Sequence, residues 1–166
     1  MTLYGVTGWK NTGKTGLMER LVVEMVARGL SVSTVKHAHH ATQIDVPGTD
    51  SYRHRSAGAQ EVILSSPLRW ALMHELRGQP EPSLEDLLAQ LSPVDLVLIE
   101  GYKQSDHPKI EAHRQAAGRD LLARTNPTIR AVASDMALEG LACPVLPLND
   151  TGAIADFILR DLGMMA

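Results

Sequence analysis

Residues 3–15 read Leu3-Tyr4-Gly5-Val6-Thr7-Gly8-Trp9-Lys10-Asn11-Thr12-Gly13-Lys14-Thr15. The first five are apolar or favour β-structure, and they predict a short strand that ends at Gly8. From Lys14 to Arg28 the apolar residues recur at helical spacing, as Leu17, Leu21 and Met25 show. The stretch therefore predicts a strand, a glycine loop and a helix with a buried stripe.

The glycine loop matches the phosphate-binding pattern G-x-x-x-x-G-K-[ST] in full, between a predicted strand and a predicted helix. Glycines at both ends let the backbone turn tightly and direct successive N–H groups at one anion, and the helix N-terminus adds a favourable dipole. The alternative is a chance match in a glycine turn. The residues predicted to bind the nucleotide through this loop are Gly8, Asn11, Thr12, Gly13, Lys14, Thr15 and Gly16.

Two side chains of the loop have predicted chemical roles. Lys14 is expected to act as a catalytic cation that reaches the β and γ phosphates, and the Thr15 hydroxyl is expected to bind Mg²⁺. Lys10 could contact phosphate as well, or it could be a solvated loop lysine.

The rest of the chain predicts an α/β fold. Gly29 ends the first helix, and Leu30 to Val35 form a second strand, which completes a strand-helix-strand unit with a parallel pairing. Residues 37–50 are expected to form a long exposed loop. The further predicted strands are Val94 to Glu100, Lys109 to Ala112, Ile129 to Ala133 and Val145 to Leu148, with an antiparallel ribbon from Glu61 to Ser65 and Arg69 to Glu75. Further predicted helices are Leu84 to Leu91, which opens at Ser83, and Ala153 to Leu162, with a cap near Thr151.

Glu100 ends the most apolar predicted strand, where a phosphate-loop protein needs a second carboxylate to hold the metal. Ligands of open α/β sheets gather at the carboxyl ends of the strands, so Glu100 is predicted to be a catalytic and metal-binding residue. The alternative is an ordinary acidic residue at a strand end. Asp95 begins the same strand about 16 Å away, and we do not expect it to share the site.

The loop after the second strand contains two groups of candidate ligands. His37, His39 and His40 could bind zinc or nickel, contact a nucleotide or partner, or be solvated. Asp45 is predicted to bind Mg²⁺ through water, and Asp50 could do the same, although either could simply form a turn.

Acidic residues at two later strand ends are candidates for reading the base. Asp135 follows one predicted strand, and Asp150 follows the next. A carboxylate can accept hydrogen bonds from the N1–H and N2–H₂ groups of guanine, which adenine lacks. The alternative is that these residues cap helices or strands.

Composition narrows the class of protein. The chain has 166 residues, which predicts a single domain over residues 1–166. Sixteen Lys and Arg against 19 Asp and Glu argue against duplex nucleic acid as the main partner. Because there is no signal-peptide pattern and no apolar run of membrane-spanning length, and because Cys143 is the only cysteine, we expect a cytoplasmic protein with no membrane partner.

Several segments together resemble the MobB family of molybdopterin-guanine dinucleotide biosynthesis adapter proteins over nearly the whole chain. They are the phosphate loop, Lys36-His37-Ala38-His39-His40, residues 45–53, Ala57-Gly58-Ala59, Glu100-Gly101-Tyr102-Lys103, Pro108-Lys109-Ile110-Glu111 and residues 131–135. The resemblance implies a three-layer α/β/α fold of the P-loop NTPase type, with a mainly parallel sheet and an added antiparallel ribbon. It also implies a GTP-binding homodimer that acts with a MobA-type guanylyltransferase on molybdopterin and hydrolyses GTP weakly at most.

One position departs from the family pattern. Gly16 stands where family members often carry a second hydroxyl residue, which leaves the backbone N–H but no side chain to contact the α-phosphate. Taken alone, without the family resemblance, the residue patterns predict a Mg²⁺-dependent purine nucleotide site. They leave open a nickel or cobalt metallochaperone, a small-molecule kinase and a scaffold that binds no nucleotide.

Overall fold

The computed structural model describes residues 1–38 and 42–165. The chain forms two compact units, one built from residues 1–37 together with those from 88 onward, and the other from residues 38–87. The prediction of a single domain stays a prediction, and the two units are described separately.

The first unit contains a six-stranded sheet whose strands are β1 (Thr2–Thr7), β2 (Val32–Lys36), β5 (Leu96–Glu100), β6 (Lys109–His113), β7 (Ile129–Ser134) and β8 (Val145–Pro147). The strand order is β2-β5-β1-β6-β7-β8, and all paired strands are parallel. Because parallel strands align their carboxyl ends, the loops after β1, β5, β6 and β7 meet at one edge. The mainly parallel α/β sheet predicted from the sequence is confirmed.

Two helices cover one face of this sheet. They are α1 (Lys14–Ala27) and α4 (Thr151–Asp161). The predicted stripe of α1 is confirmed, because Leu17, Leu21 and Met25 are all fully buried in the main core. In the part of the chain that the structure describes, no helix is both long and apolar enough to span a membrane.

The most apolar strand, β5, lies between β1 and β2, the two strands that were predicted to pair with each other. β1 and β2 are parallel, but they do not pair, because β5 lies between them and bonds to both. Residues Leu96–Ile99 of β5 are fully buried on both faces, so this strand needs a neighbour at each edge and cover on each side. The expected direct pairing of the first two strands is therefore wrong.

The second unit contains the predicted antiparallel ribbon. β3 (Glu61–Ser65) pairs with β4 (Trp70–His74), which confirms the ribbon. A short helix, α2 (Asp50–Ser56), precedes it, and this helix was not predicted from the sequence. The helix α3 (Leu84–Leu88) ends three residues earlier than expected.

The structure confirms the predicted start of α3 at Ser83 and the predicted cap of α4 near Thr151. The Ser83 hydroxyl accepts a hydrogen bond from the backbone N–H of Asp86 at 3.1 Å, which makes Ser83 the N-cap of α3 as expected. The cap of α4 is Asp150, whose carboxylate accepts from the N–H of Ala153 at 3.0 Å. Asp150 therefore caps a helix, which was the alternative to its candidate role in reading the base.

The segment that leads into β6 buries an imidazole beside an ammonium group. The Lys109 side chain donates hydrogen bonds to the carbonyl oxygens of Ser105 and His107 and to the Thr128 hydroxyl. His107 packs against Gly5, and neither of its ring nitrogens has a hydrogen-bond partner among the described residues. Burial, reinforced by the Lys109 charge, lowers the pKa of His107 to about 4.

This imidazole is expected to make the fold sensitive to mild acid. A histidine in the unfolded chain binds its proton near pH 6.5, whereas folded His107 binds it near pH 4, so stability falls as the pH drops between these values. Between pH 6.5 and pH 4, the free energy of unfolding is expected to fall by about 2 kcal/mol less in His107→Phe than in the wild-type protein. This figure is discounted because part of the ring is exposed to solvent. Urea unfolding at several pH values measures the effect, with His54→Gln on the surface of α2 as control. If the unfolding free energy of His107→Phe depends on pH as steeply as that of the wild-type protein, the assignment of this dependence to His107 is wrong.

Candidate functional site

The glycine loop joins β1 to α1, and the backbone at both ends of the loop has a positive φ, a conformation that favours glycine. Gly8 has φ +137° and Gly13 has φ +92°, and Asn11 between them is left-handed at φ +66°. A β-carbon on Gly8 would lie 2.5 Å from the Ala112 carbonyl oxygen, so the loop runs directly against β6. The predicted glycine requirement thus has a steric cause.

Side chains inside the loop fix its shape. The Thr12 hydroxyl is buried and donates to the Trp9 carbonyl at 2.8 Å. The Lys14 ammonium donates to the same oxygen at 2.5 Å, so it lies above the loop. Burial lowers the pKa of Lys14, the Glu100 carboxylate opposes that effect, and the neighbouring Lys103 and Lys36 add to it. Several cations therefore lie close to one loop, which favours binding of an anion.

Glu100 and Thr15 lie together, as predicted. Glu100 ends β5 next to β1, and its carboxylate is 3.4 Å from the Thr15 hydroxyl and 3.4 Å from the Lys36 ammonium. One hydroxyl and one carboxylate at the end of a phosphate loop are oxygen ligands of the kind Mg²⁺ prefers. The donor set therefore fits a magnesium ion held directly or through water.

The turn after Glu100 is tight. Gly101 has φ +98°, and Tyr102 is left-handed at φ +45°. A β-carbon on Gly101 would lie 3.1 Å from the His37 β-carbon, and the His37 and Tyr102 rings stack with centroids 4.8 Å apart. His37 therefore packs against the turn that positions Glu100. The other two histidines of the predicted cluster, His39 and His40, lie outside the described residues, and no group of three metal-binding side chains occurs among those described.

Asp135 lies at the same edge of the sheet, directly after β7. Its Oδ1 accepts a hydrogen bond from the backbone N–H of Gln115 at 2.9 Å. The carboxylate therefore anchors the segment after β6, and its second oxygen points to no partner among the described residues. Its predicted role in reading guanine stays a prediction.

Asp45, the third predicted metal ligand, lies in the second unit. There its carboxylate accepts hydrogen bonds from the Arg55 guanidinium at 2.6 and 3.3 Å, and these bonds lower the pKa of Asp45. Arg55 also binds Glu75 at 2.6 Å. The role of Asp45 toward Mg²⁺ stays a prediction.

A cavity of about 370 Å³ lies over the loop and brings most of the predicted nucleotide-binding residues together. Its lining residues are Asn11, Gly13, Lys14, Thr15, Gly16 and Arg114. Arg114 was not predicted from the sequence as a member of this site. The available signal was a basic residue two positions after the predicted strand Lys109 to Ala112, but the position of that strand beside β1 could not be derived from the sequence.

The parallel sheet and the glycine loop between its central strand and α1 define an α/β protein with a nucleotide-binding fold. Within that class, the chain belongs to the MobB family, since the family model for molybdopterin guanine dinucleotide synthesis protein B matches residues 3–135.

Relatives and solved structures agree with this assignment. The molybdopterin-guanine dinucleotide biosynthesis adapter protein of Haemophilus influenzae is 43% identical over 159 residues, which cover 94% of this chain and 86% of that protein. The protein of the same name from Escherichia coli is 39% identical over 163 residues, with 95% and 91% covered. The crystal structure of a MobB homologue from Bacillus stearothermophilus superimposes with a TM-score of 0.73 at 32% identity and covers 98% of this chain and 99% of that one.

Proposed function

We propose that this protein is a GTP-binding adapter of molybdenum cofactor biosynthesis, which assists a MobA-type guanylyltransferase that attaches GMP to molybdopterin. The observation that carries the proposal is the cavity over the glycine loop, with Lys14 above the loop and the Thr15–Glu100 pair at its end. Family membership supports the adapter role in molybdopterin guanine dinucleotide biosynthesis.

Each loop group has a proposed contact with the nucleotide. The backbone N–H groups of residues 8–16 hold the phosphates, and the Lys14 ammonium contacts the β and γ phosphates once it leaves the Trp9 carbonyl. Thr15 and Glu100 hold Mg²⁺, which neutralises the phosphate charge when bound.

Recognition of guanine is assigned to Asp135. Its Oδ1 accepts from Gln115, and its Oδ2 is proposed to accept from the N1–H and N2–H₂ groups of the base. Asp135 is exposed at the end of β7, on the same edge of the sheet as the phosphate loop, which supports access to a base.

We propose that hydrolysis is weak at most. Beyond the loop lysine and a metal ion, fast GTP hydrolysis requires a residue that orients the attacking water and a further cation at the γ phosphate. Within the described part of the chain, the residues lining the cavity include neither glutamine nor histidine. Of the arginines in α2, Arg55 already binds Asp45 and Glu75. A bound GTP is therefore expected to persist long enough to act as a binding signal.

Calorimetric titration and a pull-down test this function. GTP in the presence of Mg²⁺ is expected to bind one site per chain more tightly than ATP does, and removal of Mg²⁺ is expected to weaken it. In the pull-down, a tagged form of this chain is expected to retain a MobA-type guanylyltransferase in a buffer that contains a reducing agent. Equal affinity for ATP would overturn the guanine assignment, and failure to bind any nucleotide would overturn the proposal as a whole.

The exposed face of the ribbon supports the proposed homodimer. Ile63, Leu72 and Trp70 project from one face of β3 and β4, and 67%, 43% and 70% of these residues, respectively, are exposed. An apolar patch of this kind on a sheet face usually marks an association surface.

Changing that face is expected to weaken self-association. Truncation of a large aromatic residue that anchors an interface costs about 2 kcal/mol or more, so Trp70→Ala is expected to raise the dimer dissociation constant at least about tenfold. Sedimentation equilibrium measures this constant. Val23→Ser, which removes a comparably exposed apolar side chain from α1, serves as control. A dimer that both variants leave unchanged would exclude the ribbon face as its interface.

A further inference from the structure

Arg114 enters the nucleotide site from the side opposite the metal-binding pair. It follows directly after β6 (Lys109–His113), and β6 pairs with β1 along the edge that β5 does not occupy. Glu100 therefore reaches the phosphate loop from one neighbour of β1, and Arg114 reaches it from the other. A nucleotide bound at the loop would lie between the two.

The Arg114 guanidinium lies against the glycine end of the loop. A β-carbon on Gly13 would be 3.0 Å from Nε and 3.5 Å from Nη2 of Arg114, so the absence of a side chain at Gly13 leaves room for this arginine. Arg114 is half-buried and shares the cavity lining with Gly16. Among residues 1–38 and 42–165, no acceptor forms a hydrogen bond or ion pair with the guanidinium. A partly desolvated cation next to a phosphate loop therefore has its hydrogen-bond donors available for an anion.

The segment that carries Arg114 is fixed by the rest of the first unit. Asp135 accepts from the N–H of Gln115 at 2.9 Å, and the Trp9 indole N–H donates to the Asp120 carbonyl at 2.8 Å. Buried Glu111 accepts from the N–H groups of residues 122 and 123 at 3.0 and 2.8 Å. These bonds tie both ends of the segment to the sheet and the phosphate loop, so Arg114 is positioned before any ligand binds.

We propose that Arg114 binds the α and β phosphates of the nucleotide, an inference that rests on the proposed function. Lys14, Thr15 and Glu100 serve the γ phosphate and the metal on the β5 side, whereas Arg114 borders Gly13 and Gly16 on the β6 side. Gly16 has no side chain to offer the α phosphate, and the planar guanidinium beside it can donate two parallel hydrogen bonds to phosphate oxygens. Arg114 thus replaces a contact that the loop itself lacks.

Calorimetry with GTP and with GDP tests this role in the full-length protein. Because the contact is to phosphates that both nucleotides carry, Arg114→Ala is expected to weaken the two affinities by the same factor, about ten- to hundredfold. Arg114→Lys is expected to recover part of the loss, since lysine keeps the charge but not the paired donors. Arg124→Ala removes the same charge from an exposed position in the same segment and is expected to change neither affinity.

The outcomes separate this inference from the proposed function. If the wild-type protein binds GTP and Arg114→Ala binds both nucleotides normally, the role of Arg114 is wrong and the proposed function stands. If the variant loses affinity for GTP but not for GDP, the arginine contacts the γ phosphate and the proposed placement is wrong. If the wild-type protein binds neither nucleotide, the proposed function itself fails. Circular dichroism of each variant confirms that an observed loss does not come from unfolding.

Discussion

Replacing Lys14 with alanine is expected to abolish measurable GTP binding, a loss of at least about hundredfold. The Lys14 ammonium lies over the loop, where it bonds to the Trp9 carbonyl, and it is the cation proposed to contact the β and γ phosphates. Its removal would leave the phosphate charge without the donor that the loop geometry provides. Isothermal titration with GTP and Mg²⁺ measures the effect.

Lys10 provides the matched control. It lies in the same loop and carries the same charge, but it is exposed and does not line the cavity that contains Lys14. Lys10→Ala is expected to weaken GTP binding only slightly, through the loss of one solvated charge. Unchanged affinity in Lys14→Ala, or an equal loss in both variants, would remove the assignment of the site.

Gly8→Ala is expected to destabilise the fold by about 3 kcal/mol or more and to lower nucleotide affinity as well. The new methyl group would lie 2.5 Å from the Ala112 carbonyl oxygen and 2.8 Å from the Thr12 hydroxyl, at a φ of +137° that side chains rarely adopt. The Ala112 contact is with backbone of the neighbouring strand, so the loop must shift. Denaturant unfolding and GTP titration give the two effects.

Gly29 separates the steric cost from the cost of backbone conformation. It also has a positive φ, +86°, but a β-carbon there would meet no atom within 4 Å. Gly29→Ala is expected to cost only about 1 kcal/mol, the penalty for a left-handed residue, and to leave nucleotide binding unchanged. Equal destabilisation by the two substitutions would show that contact with β6 does not shape the loop.

Local patterns predicted the parts of the protein that depend on neighbours in sequence. The stripe formed by Leu17, Leu21 and Met25 follows from helical periodicity, and the glycines of the loop follow from a known spacing. The approach of Glu100 to Thr15 was also predictable, because parallel strands place their carboxyl ends at one edge.

Features that depend on strand order could not be predicted in this way. β5 lies between β1 and β2, and its apolar run predicts a buried strand but does not specify which strands are its neighbours. Arg114 became a candidate only because β6 pairs with β1. The cap at Asp150 and the anchoring of Gln115 by Asp135 depend on contacts set by the final backbone.

The strand order also has a consequence for how the protein folds. Because β5 separates β1 from β2, the centre of the sheet cannot close until a ribosome has added about sixty residues beyond the second strand. Contacts between such distant parts of a chain form slowly, since the intervening loop must first lose entropy. During synthesis the first two strands and α1 are thus left with unpaired edges and exposed apolar surface, a state prone to aggregation that chaperones would be expected to shield.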